Sequence, residues 1–526
     1  LAPFFFTGAR LPLVLPAQKV AAASGALAAL VYVLLTGFGV PAQRTLYMLL
    51  VVVLALWGGR IVSVSHVLCM ALALVLLIDP WAVLWPGFWL SFCAVGVILY
   101  TGLGRMQAAS TQAASKADNW WRGVKAAGMK QYAVTIGLLP LTVLLFGRVS
   151  LIGPLANAFA IPLIGLLVTP LALAGSVLPA PLSRWLLLAA HALVEQLAQF
   201  LNWLSAMPFS VWQAAAPRPW TIAIALLATL WILAPRGWPL RWLALFGWLP
   251  LLLDGGSRPA EGEMRVTALD VGQGMAVLVE TPRQCLLYDT GPGYGGKSDA
   301  GSRIIIPYLR ARGIDTLDTL IISHAHIDHA GGALSIMKGI NVVEVYSSLA
   351  HTHPIAVAAT DHRRCYDGQA WQWGQTRFEM LYPQAGLYAP PLGKKHNPNA
   401  ISCTIKITHG DHAIVLPGDI EAIQEAQLVE VHAGRLKATV LLAPHHGSGT
   451  SSTPALLNEV DPQIALFQVG YRNRFQHPKQ QVLQRYIDLG VKVLRSDEDG
   501  AIMLKFDTDV SAATYREQHR RYWYGR

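Results

Sequence analysis

Apolar runs of membrane-spanning length recur through the first half of the chain, at about residues 20–38 ("VAAASGALAALVYVLLTGF"), 45–58, 64–79, 83–103, 131–147, 150–178, 185–206, 218–234 and 240–254. A helix crossing a hydrocarbon core of about 30 Å needs roughly 20 mostly apolar residues, so this half predicts a polytopic α-helical membrane domain. One run is interrupted on a single side. "WLLLAAHALVEQLAQFLNWLSAM" sets His191, Glu195, Gln199 and Asn202 at spacings of four, four and three, along one helix face. That face either lines an aqueous path or lies in the membrane interface.

From residue 264 the period shortens. "MRVTALDV", "MAVLVET", "CLLYDT", "TLDTLIIS", "SCTIKIT", "HAIVLPG", "ATVLLAP", "IALFQVG" and "AIMLKF" are apolar or alternating runs bounded by Gly, Pro, Asp or His, the pattern of short strands. Helical spacing returns between them at about 301–312, 420–434, 453–460 and 478–489. Strands mixed with helices in one long unit predict an α/β layered domain.

Composition places the boundary between the two. The chain has 526 residues, too many for one core, and residues 1–254 hold 14 Lys/Arg and 4 Asp/Glu against 27 and 27 in residues 255–526. All of the net charge of +10 therefore belongs to the apolar half, where sparse Lys and Arg between apolar runs mark membrane-flanking loops. The basic pI of about 9.4 is accordingly no sign of nucleic-acid binding. Arg105, Lys116, Arg122, Lys125 and Lys130 place a loop at about 104–130 in the cytoplasm, and Arg236 and Arg241 mark a second cytoplasmic loop four spans later if 150–178 crosses once. The segment 240–254 would then carry the C-terminal half to the outer side, unless a re-entrant break at Pro162 or Pro170 inverts the count. The five cysteines (Cys69, Cys93, Cys285, Cys365, Cys403) lack C-x-x-C spacing and predict neither a zinc ribbon nor a disulfide framework. The chain opens "LAPFFF", without Met or a signal peptide, and reads as a fragment whose natural N-terminus lies upstream.

Histidine concentrates in the second half, which holds all of the 16 except His66 and His191. "SHAHIDHAGG" follows an apolar strand. In extended backbone His324 and His326 project to one side and can bind one cation, while Asp328 and His329 can bind a second. Gly331 and Gly332 permit a tight turn into a helix. A binuclear site needs a ligand that both ions share, and Asp419 in "HAIVLPGDI" supplies a carboxylate after a strand and a glycine. His445 and His446 in "LLAPHHGSG", and His477 in "YRNRFQHP", add imidazoles at later strand ends. Nitrogen and oxygen donors without cysteine suit two Zn²⁺ or Mn²⁺ ions, which activate water against a phosphoryl or acyl centre. With Asp328 and Asp419 at their centre, these residues predict metal-assisted hydrolysis.

The ordered strings "LDVGQGMAVLVETP", "LLYDTGP", "LIISHAHIDHAGG", "IVLPGDI" and "LLAPHHGSGTSS" resemble the metallo-β-lactamase superfamily and, within it, the C-terminal domain of the ComEC family of DNA-uptake channels. "LVYVLLTGFGVPAQRTLYMLL" and "DPWAVLWPGFWLSFCAVGVILY" resemble that family's competence domain, and the likeness runs from about residue 1 to 515. It implies a multi-domain protein: residues 1–254 as an N-terminally truncated competence membrane domain, and residues 255–526 as a metal-dependent hydrolase domain with the αββα sandwich fold. By position it implies His324, His326, Asp328, His329 and Asp419 as ligands, with His446 or His445 and His477 beside them. His396 stands nearest to the superfamily's intervening histidine. Many family members have Asp where this chain has His326 and Met275; the first change approaches the wider superfamily pattern, and the second removes a carboxylate near Asp270.

The family further implies a multi-pass protein of the cell (inner) membrane with its C-terminal domain on the periplasmic face. Single-stranded DNA would be the transported substrate and the metal domain would degrade the other strand. DNA-receptor and translocation proteins, and a second copy of the chain, are the implied partners besides the lipid bilayer. Arg472, Arg474, Lys394 and Lys395 would then hold phosphates, with Ser448 as a hydrogen-bond donor. Two other readings stay open: a transporter whose metal domain is structural or binds DNA without cutting it, and a membrane-tethered hydrolase of another phosphodiester or ester.

Overall fold

A computed structural model of the chain describes residues 16–58, 63–102, 116–235, 237–295, 298–388 and 397–521. The chain divides into two compact units, Leu1–Asp254 and Gly255–Arg526.

The first unit is helical. Its apolar runs form α1 (Ala17–Leu35), α2 (Val40–Trp57), α3 (Val64–Ile78), α4 (Pro86–Gly102), α5 (Lys116–Phe146), α6 (Gly153–Val177), α7 (Leu182–Ser205), α8 (Pro219–Ile232) and a last segment α9 (Arg241–Leu252). Of the described helices, α1, α6 and the Trp121–Phe146 part of α5 are long and apolar enough to cross a membrane. Three expectations change here. First, α5 starts at Lys116, so Arg122, Lys125 and Lys130 lie within a helix rather than in a loop; Arg105 and Arg236 lie outside the described residues. Second, Pro162 and Pro170 cause no re-entrant break, because a π-helical stretch over Leu163–Val168 keeps α6 continuous. Third, α9 opens as a 3₁₀-helix over Arg241–Trp248 and ends with one α-turn. At about 2.0 and 1.5 Å rise per residue it reaches roughly 22 Å, much as the 14 residues of α8 do, and is shorter than the apolar run 240–254 suggested. In α7 the polar stripe is confirmed as one uninterrupted face: His191, Glu195, Gln199 and Asn202 are exposed, while the buried Ala190, Leu197 and Leu204 occupy the opposite side.

The second unit is built on two sheets. Its strands are β1 (Met264–Ala268), β2 (Val277–Glu280), β3 (Cys285–Tyr288), β4 (Thr316–Ile322), β5 (Asn341–Ser347), β6 (His362–Arg364), β7 (Ala370–Trp373), β8 (Thr376–Tyr382), β9 (Thr404–His409), β10 (His412–Leu416), β11 (Val440–Leu442), β12 (Ile464–Phe467), β13 (Lys492–Arg495), β14 (Ile502–Phe506) and β15 (Val510–Thr514). Among the described residues one sheet runs β6-β5-β4-β3-β2-β1-β14-β15 and the other β7-β8-β9-β10-β11-β12-β13. A short hairpin, Gly293–Gly295 with Ser298–Asp299, lies outside both.

Alternation along the strands builds the layers. Val266, Val279, Leu286 and Ile321 of the first sheet meet Phe378, Ile405, Ile414, Val440 and Leu466 of the second in one buried core. The opposite residues of the first sheet, Leu278, Leu287, Leu320 and Ile322, pack on α10 (Ile306–Ala311) and α11 (Ala333–Gly339) through Ile306, Leu309, Ala333 and Ile336. Val415, Leu441, Ala465 and Phe467 of the second sheet pack on α12 (Ala422–His432), α13 (Pro454–Val460) and α14 (Gln480–Asp488) through Leu428, Leu457, Val460 and Val482. The result is the expected αββα sandwich. Strands β3 to β6 run parallel, as do β10 to β13, which brings several carboxyl ends to one edge of each sheet.

The cysteines correct the sequence reading. Cys365 at the end of β6 and Cys403 at the start of β9 form a disulfide that joins the two sheets, with Cα atoms 6.0 Å apart. A separation of 38 residues gives no local signal; only the stacking of the sheets brings the pair together. Among the described residues Cys69, Cys93 and Cys285 are free. We expect three thiols to react with a thiol reagent in denaturant and five after reduction. Replacing both Cys365 and Cys403 by Ser is expected to cost the second unit about 2–4 kcal/mol in urea unfolding followed by pulse proteolysis. Five reactive thiols before reduction would contradict the bridge.

Candidate metal centre

Ligands of open α/β sheets collect outside the carboxyl ends of parallel strands, where the chain leaves the hydrogen-bonded ladder and side chains are free to converge. Here both sheets contribute. β3 ends into Asp289 and β4 into Ser323, His324, His326, Asp328 and His329. In the second sheet β10 ends into Asp419, β11 into His445 and His446, and β12 into Gln468. Asp289, His445 and His446 all hold positive φ, at 60, 48 and 55°, a conformation unfavourable for side chains with a Cβ. Each such residue costs of order 1–3 kcal/mol and persists only where its surroundings fix it.

The ligating atoms fall into two groups, His324 with His326 and Asp419, and Asp328 with His329 and His446; within each group they lie within 4.8 Å of one another. His324 Nε2 approaches His326 Nδ1 to 3.0 Å, and His329 Nε2 approaches His446 Nε2 to 3.2 Å. Asp419 stands between the groups. Its Oδ2 lies 3.2 Å from His329 Nε2, 3.8 Å from His324 Nε2 and 3.7 Å from His445 Nε2, while its Oδ1 lies 3.7 Å from His446 Nε2. Asp328 Oδ2 lies 3.5 Å from His446 Nε2.

The backbone of this loop is fixed on both sides. The His329 carbonyl accepts from Thr290 N and Oγ1 at 2.7 Å each, and the Asp328 carbonyl accepts from Met275 N at 3.0 Å. Gly331 and Gly332 act differently from the sequence expectation. Both have right-handed backbone; a Cβ on Gly331 would strike the backbone at Pro292 and Gly293, and one on Gly332 the backbone at Thr290 and Gly301. Glycine is required for close packing rather than for a left-handed turn.

Asp289 was not assigned a role from the sequence. It is fully buried, accepts from Ser323 N and Oγ at 2.7 Å each, and lies 2.7 Å from His329 Nδ1. Such a carboxylate favours the tautomer with a proton on Nδ1 and leaves the Nε2 lone pair for a ligand. The Gln468 carbonyl does the same for His446, 2.8 Å from its Nδ1. Asp289 directly follows the strand in "CLLYDTGP", and its position at a strand end was the one available signal.

The electrostatics favour added positive charge. Burial opposes ionisation of Asp419, yet His329, His446 and His324 around it hold its carboxyl well below the ordinary range. Burial likewise disfavours charge on His329, but Asp419 and Asp289 outweigh it and draw a positive charge onto the ring. Burial holds His324 well below the usual histidine range, so that it offers a lone pair. Asp419 Oδ1 is buried with no hydrogen-bond partner, an arrangement that is expensive unless a cation compensates it. Buried imidazoles and carboxylates with orphaned oxygen fit divalent cations.

The remaining predicted residues belong to neither ligand group. His445 is partly exposed, with Nδ1 3.4 Å from Glu421 Oε1. His477 joins neither ligand group: its ring centre is 6.1 Å from that of His445, and burial pushes its imidazole down to about 4. Ser448 follows His446 by two residues, donates from its N–H to the His445 carbonyl at 2.8 Å, and pairs with Thr450 Oγ1 at 3.1 Å. Arg472 and Arg474 sit in the loop after β12 and contact neither group. Asp270 stays outside the cluster, 3.7 Å from Arg516. Lys394, Lys395 and His396 lie outside the described residues.

Comparison with known proteins agrees with this geometry. Residues 269–470 match the metallo-β-lactamase superfamily and residues 1–239 match the Competence protein family. Competence protein ComA of Neisseria gonorrhoeae is 36% identical over 507 residues, covering 95% of this chain and 67% of the relative. The uncharacterized protein YcaI of Escherichia coli K12 is 30% identical over 513 residues, covering 94% and 63%. A stretch of 85 residues is 34% identical to Ribonuclease J of Mycolicibacterium smegmatis, covering 15% of each chain. The chain belongs to the ComEC family of competence proteins, in which a Competence domain is joined to a metallo-β-lactamase domain. It spans about two thirds of the length of its full-span relatives.

Asp289→Asn keeps the shape of the side chain and removes the charge that faces His329. We expect it to weaken divalent-metal affinity by about 10–100-fold in competition against a chromophoric chelator. Wild-type affinity in this variant would show that Asp289 does not position the ligand.

Proposed function

We propose that this chain is a channel of the cell (inner) membrane that passes one strand of DNA, and that its metal domain hydrolyses the strand left outside. The observation that carries this reading is the union, in one chain, of an apolar Competence-type helical unit with a donor set, four of its six residues buried, divided around one carboxylate.

His324, His326 and Asp419 would hold one ion and Asp328, His329 and His446 the other, with Asp419 shared. Two Zn²⁺ or Mn²⁺ ions bound there supply Lewis acidity and a water of lowered pKa, the chemistry that phosphodiester hydrolysis needs. The chain's own residues do the rest. Asp289 and the Gln468 carbonyl fix the rings of His329 and His446. His445 is kept neutral by burial, and Glu421 beside its Nδ1 favours the tautomer with an open Nε2. At the mouth of the site that nitrogen is placed to take up a proton and return it to a departing oxygen. Ser448 donates to a phosphate oxygen, and Arg472, Arg474 and Lys395 bind phosphates along the strand. The likeness to a protein named as a ribonuclease supports phosphodiesters as the substrate class.

One feature supports an outer, periplasmic position for the metal domain. The Cys365–Cys403 bridge belongs to an oxidising compartment.

The full chain in detergent, loaded with Mn²⁺ or Zn²⁺, is expected to cut a single-stranded oligonucleotide. Asp328→Ala should lower the rate by at least about a hundredfold, the equivalent of about 3 kcal/mol. Equal cleavage by the variant would reject the site, and wild-type protein that retards DNA on a gel without cutting it would leave the metal domain a binding module.

A further inference from the structure

The loop after β12 has features that metal binding does not use. Residues 470–477 read "GYRNRFQH", two aromatics flanking two arginines. Tyr471 is 68% exposed and Phe475 44% exposed. Each carries a guanidinium on its ring: Arg472 Cζ lies 5.2 Å from the Tyr471 centroid, and Arg474 Cζ lies 4.7 Å from that of Phe475. Neither arginine has an acidic partner within ion-pair distance among the described residues. The second unit as a whole is neutral, so this pair is a local excess of positive charge.

The loop holds these rings outward. Asn473 Nδ2 donates to the carbonyls of Gly470 at 3.0 Å and His477 at 2.7 Å, while Asn473 Oδ1 accepts from His477 N at 2.9 Å. At its root Gly470 N donates to Gln273 Oε1 at 3.0 Å. Exposure of the aromatics is thus built in by hydrogen bonds.

The rings also lead to the metal centre. Phe475 stacks on His477 with centroids 5.7 Å apart and planes at 25°. His477 is 6.1 Å from His445, and His445 is 6.5 Å from His446, a member of one ligand group. A planar group resting on Phe475 would continue a series of rings that ends at the site.

We propose that Tyr471 and Phe475 are base-stacking platforms, and that with Arg472 and Arg474 they grip a single-stranded polynucleotide and feed its backbone to the metal centre. This rests on the phosphodiesterase reading above. Each ring holds its arginine, which sets a cation at phosphate distance; the open side of Tyr471 takes an unpaired base, and a base reaches Phe475, whose ring also stacks on His477, by displacing the Arg474 guanidinium onto its phosphate. Bases within a duplex present edges rather than faces, so the platform selects single strands. Exposed aromatics with arginines also fit a membrane surface, but the ring series toward the ligands favours the nucleic acid.

The test uses the full chain in detergent, made cleavage-incompetent by omitting divalent metal, and fluorescence anisotropy with three probes: a dT 20-mer, an abasic 20-mer and a 20-base-pair duplex. Tyr471→Ala with Phe475→Ala is expected to weaken dT binding by at least about tenfold and leave abasic binding unchanged, while Phe475→Trp restores dT affinity. Arg472→Ala and Arg474→Ala should weaken both single-stranded probes, each flattening the salt dependence of log K by about 0.7. Unchanged dT affinity in the double aromatic variant overturns the platform, and if metal-loaded wild type still cuts while Asp328→Ala does not, the phosphodiesterase reading survives that loss. Wild type that neither binds nor cuts the dT probe overturns both.

Discussion

One buried carboxylate, Asp419, ties the second sheet to the histidine loop of the first, and the metal centre depends on that contact. Its two oxygens face His324 and His329 from one sheet, and His445 and His446 from its own. A cluster of this kind replaces apolar packing at the sheet edge with groups that are costly to bury uncompensated. Cations would turn that cost into binding energy, because ligand positions fixed by folding need no reorganisation on loading. The surrounding architecture serves this edge. Parallel strands deliver the loops, left-handed backbone turns His445 and His446 inward, and the Cys365–Cys403 bridge holds the sheets together beside them. The Cys403 N–H itself donates to the Ser323 carbonyl, one residue before His324.

What could be read from the sequence follows from how local each signal is. The nine strands identified by apolar runs, β1 to β4, β9 to β12 and β14, all lie in the interior of the two sheets. The six overlooked are the four edge strands, β6, β7, β13 and β15, with β5 and β8 beside two of them; exposed or half-exposed positions interrupt the run in each. Residues 324 to 329 announced themselves because one short loop carries four donors. Asp419 and His446 were legible from strand-end position. Asp289 and Gln468 were not, since their roles come from reaching a histidine about 40 and 22 residues away in sequence. The disulfide was invisible for the same reason.

In the membrane unit the hydropathy pattern located the helices but not how each one meets the bilayer. Continuity of α6 through two prolines comes with a π-helical stretch, and α9, which packs on α8, opens with 3₁₀ geometry. The exposed polar stripe of α7 lies on a unit that spans only part of its relatives' length. Such a stripe in an apolar helix carries a solvation cost that either an aqueous path or the interface relieves. Under the proposed function, these helices and a site whose donors suit phosphodiester chemistry would act on one polymer.

The central claim is that Asp419 joins two half-sites into one binuclear centre. Metal stoichiometry of the purified full chain, by mass spectrometry of bound ions after equilibration at fixed free Mn²⁺ or Zn²⁺, addresses it directly. The account predicts two ions per chain in the wild type and, at the same free metal, less than one in Asp419→Ala. Two ions retained by that variant, or a single ion in the wild type, would contradict it.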